Sequence, residues 1–534
     1  MLSAPQETAG GGGQIGRGTR FKPALVWSYV LTTGMYGITA LMTFVLAALL
    51  GPREFGILWM AIVWVTLAQI LLQHGPTMAV LQHEDITDRH LNAAFWSTMA
   101  GALLYTGLLA AAAPLWAAVN RVPELTVVCL ALTSIVPMYA LNVIPEAVLR
   151  RRMQMRSVAV RYLSSGLIAG LAGVACALAG LGVWALVVQQ VGATLLTTVL
   201  LWVVTPWRPR LGRFGRELRD IRGTSLKTLA GAAGSFVAVR ADVLVMGAFF
   251  GPVVVGLFRF AVRFPEMLVD VTGRGLQTIS LPELARRSDD PQALAARLRR
   301  LLHGAAVLSV PGLGVVAGTA EPLVLLVGDQ WAEAVTPLRL LCVVSALGVL
   351  SALLSVALQA AQRPGLPAAV TWLNAPASIA AIYLAAVLSA GRGTAGQLLA
   401  VALAVLLVQA PLAGLLGYLT YGRVLRVSAW PTVLATAPSL LAGAAAAAAG
   451  AAVPALVGPG PGRVATRVLA TAVAGAVAGG LLLALDREVQ SSLRRLVGRV
   501  GGRATAAAPA DGPVSGSPGA ADRPDLAVGV GVDD

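Results

Sequence analysis

Long runs of apolar residues recur along almost the whole chain of 534 residues, separated by short polar connections. Most runs approach twenty residues, the length of a helix that crosses a hydrocarbon core of roughly 30 Å. A membrane β-barrel would instead show segments of about ten residues that alternate apolar and polar side chains. The pattern therefore predicts an all-α polytopic membrane protein with fourteen spans. The predicted spans lie near residues 25–49, 55–74, 93–118, 123–148, 158–179, 181–204, 225–250, 253–279, 302–320, 335–361, 366–389, 396–420, 430–452 and 464–485.

One short phrase occurs twice: LLGPREFGIL at Leu49–Leu58 returns 200 residues later as FFGPVVVGLF at Phe249–Phe258. Gly-Pro ends one helix and sets a tight turn, and the later glycine of the phrase is expected to let the next helix start close by. The two copies join spans one to two and spans seven to eight, so six spans separate them and both turns face outward. This spacing predicts a parallel repeat, two like-oriented six-helix bundles related by an axis along the membrane normal.

The composition of the connections completes the predicted domain organisation. Both chain ends are rich in small residues, which favours disorder. The predicted division is a disordered cytoplasmic N-terminus over 1–24, an N-terminal six-helix bundle over 25–204, a basic cytoplasmic linker over 205–227, a C-terminal six-helix bundle over 228–421, helices 13 and 14 over 422–485, and a cytoplasmic tail over 486–534 that is disordered from about 501.

The charged residues indicate the orientation in the membrane. Only 12% of the residues are charged, against about 25% in a soluble protein. The net charge is +15, and with the N-terminus inside, the arginines gather in the inner connections, as the positive-inside rule requires. We therefore expect a multi-pass protein of the bacterial cytoplasmic membrane with both termini in the cytoplasm and with anionic lipids at its cytoplasmic face. The same distribution argues against nucleic acid as a partner.

Span eight carries a row of charged residues at spacings of 4, 3, 4 and 4, which we call the charged stripe. Its members are Arg259, Arg263, Glu266, Asp270 and Arg274. At about 100° per residue they fall within an arc of roughly 80°, and they extend over roughly 22 Å of helix. A charge that faces lipid costs around 3 kcal/mol on insertion scales, so the stripe must face the protein interior or a water-filled cavity.

Two interpretations of these charges follow from the residues. Ion pairs such as Arg263 with Glu266, or Arg259 with Asp242, would hold helices together. However, seven charges in one hairpin, counting those of span seven, exceed what packing needs, which favours a functional hydrophilic cavity. Because guanidinium groups suit phosphate and carboxylate groups, an anionic substrate is expected.

The candidate site residues fall into three groups. The expected substrate-binding residues are Arg240, Arg259, Arg263 and Arg274. The residues expected to balance their charge, one of which would carry a coupling proton, are Asp242, Glu266, Asp270 and Glu146. Further polar residues expected in the cavity are Gln69, Gln73, His74 and Asn142. No catalytic residue, metal site or cofactor is expected, and the three scattered cysteines form neither a disulfide framework nor a zinc site.

Several segments resemble the Wzx-type polysaccharide flippases. The stretch FVLAALLGPREFGILWMAIVWV, followed by LLQHGPTMAVLQHEDIT, is similar to that family's opening hairpin. VRADVLVMGAFFGPVVVGLFRFAVRFPE is similar to its seventh and eighth spans, and ISLPELAR to the segment that follows. The resemblance covers roughly residues 25–485 in architecture. It departs at Gln73–Thr77, QHGPT, where the family commonly has an acid before the glycine.

The resemblance implies membership of the multidrug/oligosaccharidyl-lipid/polysaccharide (MOP) exporter superfamily, with two six-helix bundles around a central cavity and two extra C-terminal helices. It implies a flippase that moves undecaprenyl-pyrophosphate-linked oligosaccharide by alternating access, with a polysaccharide polymerase and other assembly proteins as partners. The core of span one carries no charge, unlike that of the lipid II flippase branch, which argues against lipid II as the substrate.

Three alternatives remain open. A multidrug or organic-cation antiporter of the same fold would prefer acids in its cavity. A membrane polysaccharide polymerase or glycosyltransferase would need a sizeable outer loop or an acidic metal-binding motif, and the sequence shows neither. A structural scaffold without transport would leave the buried charges without purpose.

Overall fold

The architecture is helical throughout the part of the chain that the structure, a computed structural model, describes. The described residues are 15–74, 87–151, 154–212, 214–286, 290–457, 463–486 and 490. The described residues up to 482 form one compact unit. Some side chains inside the helices also lie outside the description, among them those of His74, Arg240 and Arg274. The predictions for these side chains and for the two chain ends therefore stay predictions.

Fifteen α-helices follow one another along the described residues, together with one 3₁₀ helix, Asp329–Ala334, and one π-helical segment, Tyr418–Leu425. The α-helices are α1 (Ile15–Leu49), α2 (Pro52–His74), α3 (Asp88–Asn120), α4 (Glu124–Thr133), α5 (Ile135–Arg151), α6 (Met155–Leu178), α7 (Val183–Val204), α8 (Gly215–Ala285), α9 (Pro291–Gly318), α10 (Ala320–Val327), α11 (Val335–Ala360), α12 (Gly365–Leu388), α13 (Thr394–Gly417), α14 (Trp430–Val457) and α15 (Arg463–Leu485).

Eleven helical segments are long and apolar enough to cross a membrane, counted over the described residues. Two shorter apolar segments, Thr33–Leu49 and Leu469–Leu485, coincide with predicted spans one and fourteen. The prediction of an all-α polytopic membrane protein is confirmed. The count of fourteen stays a prediction, because most side chains of predicted span seven lie outside the description and the segment Asp242–Thr272 joins parts of spans seven and eight.

Predicted span four consists of two helices, α4 and α5, which are interrupted at Ser134. Pro137 explains the break, because a proline has no N–H to donate to the carbonyl four residues earlier, which is that of Thr133. The Ser134 N–H closes a tighter turn by donating to the carbonyl of Ala131 at 3.3 Å. The two helices still form one candidate membrane span, Glu124–Leu149.

Helix α8 consists of two limbs that meet at the second Gly-Pro phrase. Gly251 has φ 79° and ψ 178°, a conformation that glycine adopts readily. Pro252 then opens the second limb, at a position where the missing N–H of proline costs no helical hydrogen bond. The first limb begins at Gly215, so helix extends into the segment predicted as a linker, and only residues 205–212 and 214 of the described part lie outside it.

The helices pack as two sets. Helices α1–α7 contact one another, and the second set comprises α8, α9 and α11–α14. Helix α14 lies along α9, where a Cβ atom at Gly314 would lie 2.7 Å from the Cα atom of Gly443. Small residues allow such close backbone contact between membrane helices. The two sets meet mainly through α2 and α8.

Candidate functional site

The two copies of the repeated phrase lie against each other. A Cβ atom at Gly56 would lie 2.9 Å from the Cα atom of Pro252, and one at Gly256 would meet the carbonyl of Pro52 and lie 3.0 Å from the backbone nitrogen of Gly56. The contact is reciprocal, as it would be if a two-fold axis that relates the repeats passed between the two glycines. The later glycine of each copy therefore permits helix-to-helix contact between the repeats and does not simply set the start of its own helix. We call this region, where α1 finishes and α2 begins, the α1–α2 end.

An aromatic cluster reinforces the same junction. Trp331 is fully buried, and its Nε1 donates a hydrogen bond to the carbonyl of Ala47 at 2.8 Å. The Trp331 ring lies 5.4 Å from that of Phe55, edge to face, and 4.2 Å from that of Phe260. Ala47 and Phe55 belong to the first set of helices, whereas Phe260 belongs to α8 of the second set and Trp331 to the 3₁₀ helix Asp329–Ala334, which contacts α8 and α11. The cluster therefore ties the two sets together at the α1–α2 end.

The charged stripe begins directly beyond this junction with Arg259, which is only 3% exposed. Its Nη1 lies 3.5 Å from Oδ2 of Asp242, and its Nη2 lies 3.7 Å from Oε1 of Glu266. Its Cζ lies over the Trp59 ring, 4.7 Å from the centroid. The predicted pairing of Arg259 with Asp242 is confirmed. Both pairs are longer than a direct hydrogen bond, so the partners can be exchanged for water or ligand oxygens.

The stripe becomes more accessible with distance from the α1–α2 end. The exposed fraction of the side chain rises from 4% at Arg259 to 22% at Arg263 and 35% at Glu266. Nη1 of Arg263 lies 3.9 Å from Oε2 of Glu266, which confirms the second predicted pair. Asp270 lies one turn further along the same limb and is partly buried. The structure thus brings four predicted residues together, Asp242 with three members of the stripe.

Glu146 belongs to a second charged cluster, within the first set of helices. Its Oε2 accepts hydrogen bonds from Nη2 of Arg161 at 2.8 Å and from the hydroxyl of Tyr162 at 2.7 Å. Arg161 lies in α6, within the predicted span 158–179, and is 3% exposed.

The predicted secondary polar residues divide between two environments. Gln69 and Asn142 line one cavity of about 220 Å³ inside the first set of helices. Gln73 is exposed and is not among the residues that line this cavity. The side chain of His74 lies outside the described part of the chain.

Sequence reasoning missed three residues of the site: Trp59, Arg161 and Trp331. A signal for Trp59 existed, because it precedes Arg259 by the 200 residues that separate the repeated phrases. Arg161 and Glu146 flank the same inner turn, which was a weaker signal. Nothing local distinguishes Trp331, because its contacts with α1 and α2 lie more than 270 residues away in sequence.

The described helices thus form two sets that meet at one end, with charged side chains accessible beyond the junction, and solved transporter structures share this fold. A structure titled lipid II flippase MurJ in the inward closed conformation matches with a TM-score of 0.63 and 11% identity, over 86% of this chain and 98% of that one. A structure titled as the inward-facing conformation of a multidrug resistance MATE family transporter of the MOP superfamily matches with a TM-score of 0.57 and 13% identity, over 75% of this chain and 98% of that one. The chain belongs to the polysaccharide biosynthesis protein family, whose description matches residues 45–336, more than half of its length.

Curated relatives agree with this family. The succinoglycan biosynthesis transport protein ExoT of Rhizobium meliloti is 26% identical over 59% of this chain and 64% of its own length. The lipopolysaccharide biosynthesis protein WzxC of Escherichia coli is 22% identical over 60% and 66%. The teichuronic acid biosynthesis protein TuaB of Bacillus subtilis is 23% identical over 53% and 59%. The chain thus spans less than two thirds of the length of each. The predicted resemblance to a polysaccharide family is confirmed.

Proposed function

We propose that this protein moves undecaprenyl-pyrophosphate-linked oligosaccharide units across the bacterial cytoplasmic membrane by alternating access, for a surface or cell-wall polysaccharide. The observation that carries the proposal is the charged stripe, whose arginines become accessible away from a closed junction between two repeats. Similarity also supports the proposal, because the chain belongs to the polysaccharide biosynthesis protein family and its relatives are proteins of polysaccharide biosynthesis. Polysaccharide polymerase and other assembly proteins are the partner proteins we expect.

Arg263 is the proposed first contact for the pyrophosphate. Its guanidinium is 22% exposed and lies 3.9 Å from the Glu266 carboxylate, so phosphate oxygens can replace that carboxylate without breaking a short hydrogen bond. A guanidinium group binds phosphate through two parallel hydrogen bonds. Arg259 is buried and adds a fixed positive potential, while Arg240 and Arg274 are proposed as further contacts. Asp242, Glu266, Asp270 and Glu146 stay proposed as charge-balancing groups, one of them carrying a coupling proton.

Under the proposal, the closed junction corresponds to one conformational state of the transport cycle. With the termini placed in the cytoplasm by the arginine distribution, the α1–α2 end lies at the outer face of the membrane. The accessible part of the stripe then lies toward the cytoplasm, where the lipid-linked substrate is made. In this state the cavity would accept substrate from the inner leaflet, and anionic lipids would contact the basic cytoplasmic face.

Transport in inverted membrane vesicles tests the proposal, with labelled lipid-linked oligosaccharide as the substrate. We expect Arg263→Ala to lower the transport rate at least tenfold, because a hydrogen bond to a charged group contributes about 1.5–3 kcal/mol. Arg263→Lys keeps the charge but loses the planar guanidinium group. Its transport rate should therefore fall between the rate of Arg263→Ala and that of the unaltered protein.

Arg392→Ala is the matched control, because Arg392 is exposed in the turn between α12 and α13, away from the stripe. Its transport rate should equal that of the unaltered protein. A folded Arg263→Ala variant that transports at the normal rate would show that the stripe does not bind substrate. Efflux of organic cations in place of the labelled lipid would support the multidrug alternative instead.

A further inference from the structure

A neutral cavity lies inside the first set of helices, and no residue of the charged stripe lines it. Its volume is about 220 Å³, and its walls come from α1, α2, α5, α6 and α7. The amides of Gln69 and Asn142, the phenol groups of Tyr139 and Tyr162 and several threonine hydroxyls give it a polar lining. None of the lining residues carries a formal charge. The cavity therefore differs in chemistry from the stripe.

Asn142 lines this cavity and carries a buried hydrogen-bond acceptor without a partner among the described residues. Its side chain is 5% exposed, and Nδ2 donates to Oγ1 of Thr198 at 2.9 Å. Oγ1 of Thr198 donates in turn to the carbonyl of Thr194 at 2.8 Å, which fixes the orientation of the amide. Oδ1 of Asn142 has no hydrogen-bond partner among the described residues. An unsatisfied buried acceptor costs free energy, and Asn142 is the lining residue that carries it.

The wall formed by Tyr162 is held in place from behind. The Tyr162 hydroxyl donates to Oε2 of Glu146 at 2.7 Å, and the Arg161 guanidinium lies 4.5 Å from the ring centroid. The same carboxylate oxygen accepts from Arg161 at 2.8 Å. These contacts restrict the rotamer of Tyr162, so its ring is a rigid surface of the cavity. A binding site needs this kind of support behind the side chains that meet the ligand.

The lining favours a neutral ligand with hydroxyl groups. Amide and hydroxyl side chains both donate and accept hydrogen bonds, as the hydroxyls of a sugar do. A bound divalent cation would instead call for carboxylate ligands, and a bound phosphate for guanidinium groups. Neither group lines the cavity.

The cavity lies at the same depth as the accessible part of the stripe. Gln69 follows Pro52 by 17 residues, while Glu266 and Asp270 follow Pro252 by 14 and 18. Because both helices start at the shared junction and rise about 1.5 Å per residue, these positions lie roughly 21–27 Å from it. One substrate molecule would therefore meet both regions at one level of the membrane.

We infer that this cavity binds one neutral sugar residue of the substrate while the stripe binds the pyrophosphate, and that Asn142 and Gln69 select the sugar. That this sugar residue belongs to a lipid-linked substrate rests on the proposed function. The volume of about 220 Å³ lies below the roughly 300–1,000 Å³ of most small-molecule pockets, which fits one sugar unit and not a whole oligosaccharide.

Photo-crosslinking of the full-length protein tests the inference with probes that carry neither lipid nor pyrophosphate. The probes are photoreactive methyl glycosides of glucose, galactose and N-acetylglucosamine, and mass spectrometry maps the labelled peptides. We expect labelling by at least one of them in α5 and α6, competed by an excess of the corresponding unreactive glycoside. Asn142→Ala and Gln69→Ala should each lower this labelling at least fivefold.

Gln190→Ala is the matched control, because Gln190 is a partly buried glutamine of α7 that does not line the cavity. Its labelling should be unchanged. If Asn142→Ala does not fold, Gln69→Ala combined with Thr39→Val provides the second variant, since neither side chain is fully buried. If labelling is absent, or if these substitutions do not change it, the inference is wrong and the cavity holds only water. Failure of the proposed function would appear separately, as vesicles that do not transport the lipid while glycoside labelling persists.

Discussion

Arg161 and Glu146 form the most deeply buried of the ion pairs between described residues, with side chains 3% and 14% exposed. Nε and Nη1 of Arg161 have no hydrogen-bond partner among those residues. Such a pair contributes little net stability, because the cost of removing both charges from water offsets their attraction. Its role is therefore to position Tyr162 and α6, and removing one partner should be far more harmful than removing both.

Substitution of this pair gives a prediction about stability. Arg161→Met should lower the free energy of unfolding by about 3–5 kcal/mol, because it leaves the Glu146 carboxylate without its guanidinium partner. The double variant Arg161→Met/Glu146→Leu should recover most of that loss. The midpoint of thermal unfolding in detergent measures both effects. A double variant that is less stable than Arg161→Met alone would contradict this account.

Trp59 and Arg259 occupy equivalent positions of the two repeats and contact each other across the junction. The sequence was sufficient to predict that Arg259 is buried and paired, because a charge at this depth cannot face lipid. It was not sufficient to predict the aromatic partner. The repeat indicates which positions correspond, but it does not indicate that corresponding positions touch. A contact on the axis between repeats becomes visible only when both helices are placed.

At the scale of the helices, two glycines allow α2 to pack closely against the second limb of α8. Gly56 and Gly256 each face a proline backbone of the other repeat, which cannot move aside as a flexible side chain can. The helices can therefore approach only while both positions lack a Cβ atom.

Alanine at these positions tests that dependence. We expect Gly56→Ala/Gly256→Ala to separate the helices and expose Ala47, which is fully buried beside Trp331. The reaction of Ala47→Cys with a membrane-impermeant maleimide, with the three native cysteines replaced by alanine, measures that exposure. Gly101→Ala is the control, because a Cβ atom there would meet nothing within 4 Å. Equal labelling rates in the two backgrounds would rule out the glycines as the basis of the closed end.

Helix positions were predictable because the length of an apolar run decides whether it crosses a membrane. Details within the helices depend on backbone hydrogen bonding, which hydropathy does not report. The break at Ser134 comes from the N–H that Pro137 lacks, although the apolar run continues through it. Conversely, the turn at Gly251 was visible in the sequence as Gly-Pro. The cavity beside Asn142 could be predicted only as a list of polar residues, since its walls come from five helices.

For the molecule as a whole, the junction and the stripe together describe one state of the transport cycle that we propose. The repeats are in contact at the α1–α2 end, while side-chain exposure increases along the stripe away from it. Under the proposed function, release of substrate at the outer face requires the repeats to separate where they now touch. The contacts at Trp331, at the two glycines and between Arg259 and Trp59 should then break together, because all of them join the two sets of helices.

A covalent link across the junction should therefore stop transport. A Cβ atom at Gly247 would lie 3.5 Å from Cγ of Met60, the atom whose place a cysteine sulfur at position 60 would take, so this pair of positions is close enough to test for a disulfide. We expect Met60→Cys/Gly247→Cys to lose transport in inverted vesicles on oxidation and to regain it on reduction. Gly173→Cys/Gln189→Cys is the control, because it joins α6 to α7 within one set. A Cβ atom at 173 would lie 3.0 Å from that of Gln189, so a helix shift of about 0.5 Å gives the separation of roughly 3.5–4.5 Å that a disulfide needs. This control should transport in both redox states. Full transport by the oxidised Met60→Cys/Gly247→Cys protein would mean that the junction stays closed throughout the cycle, and that substrate leaves by a route that does not pass between the repeats.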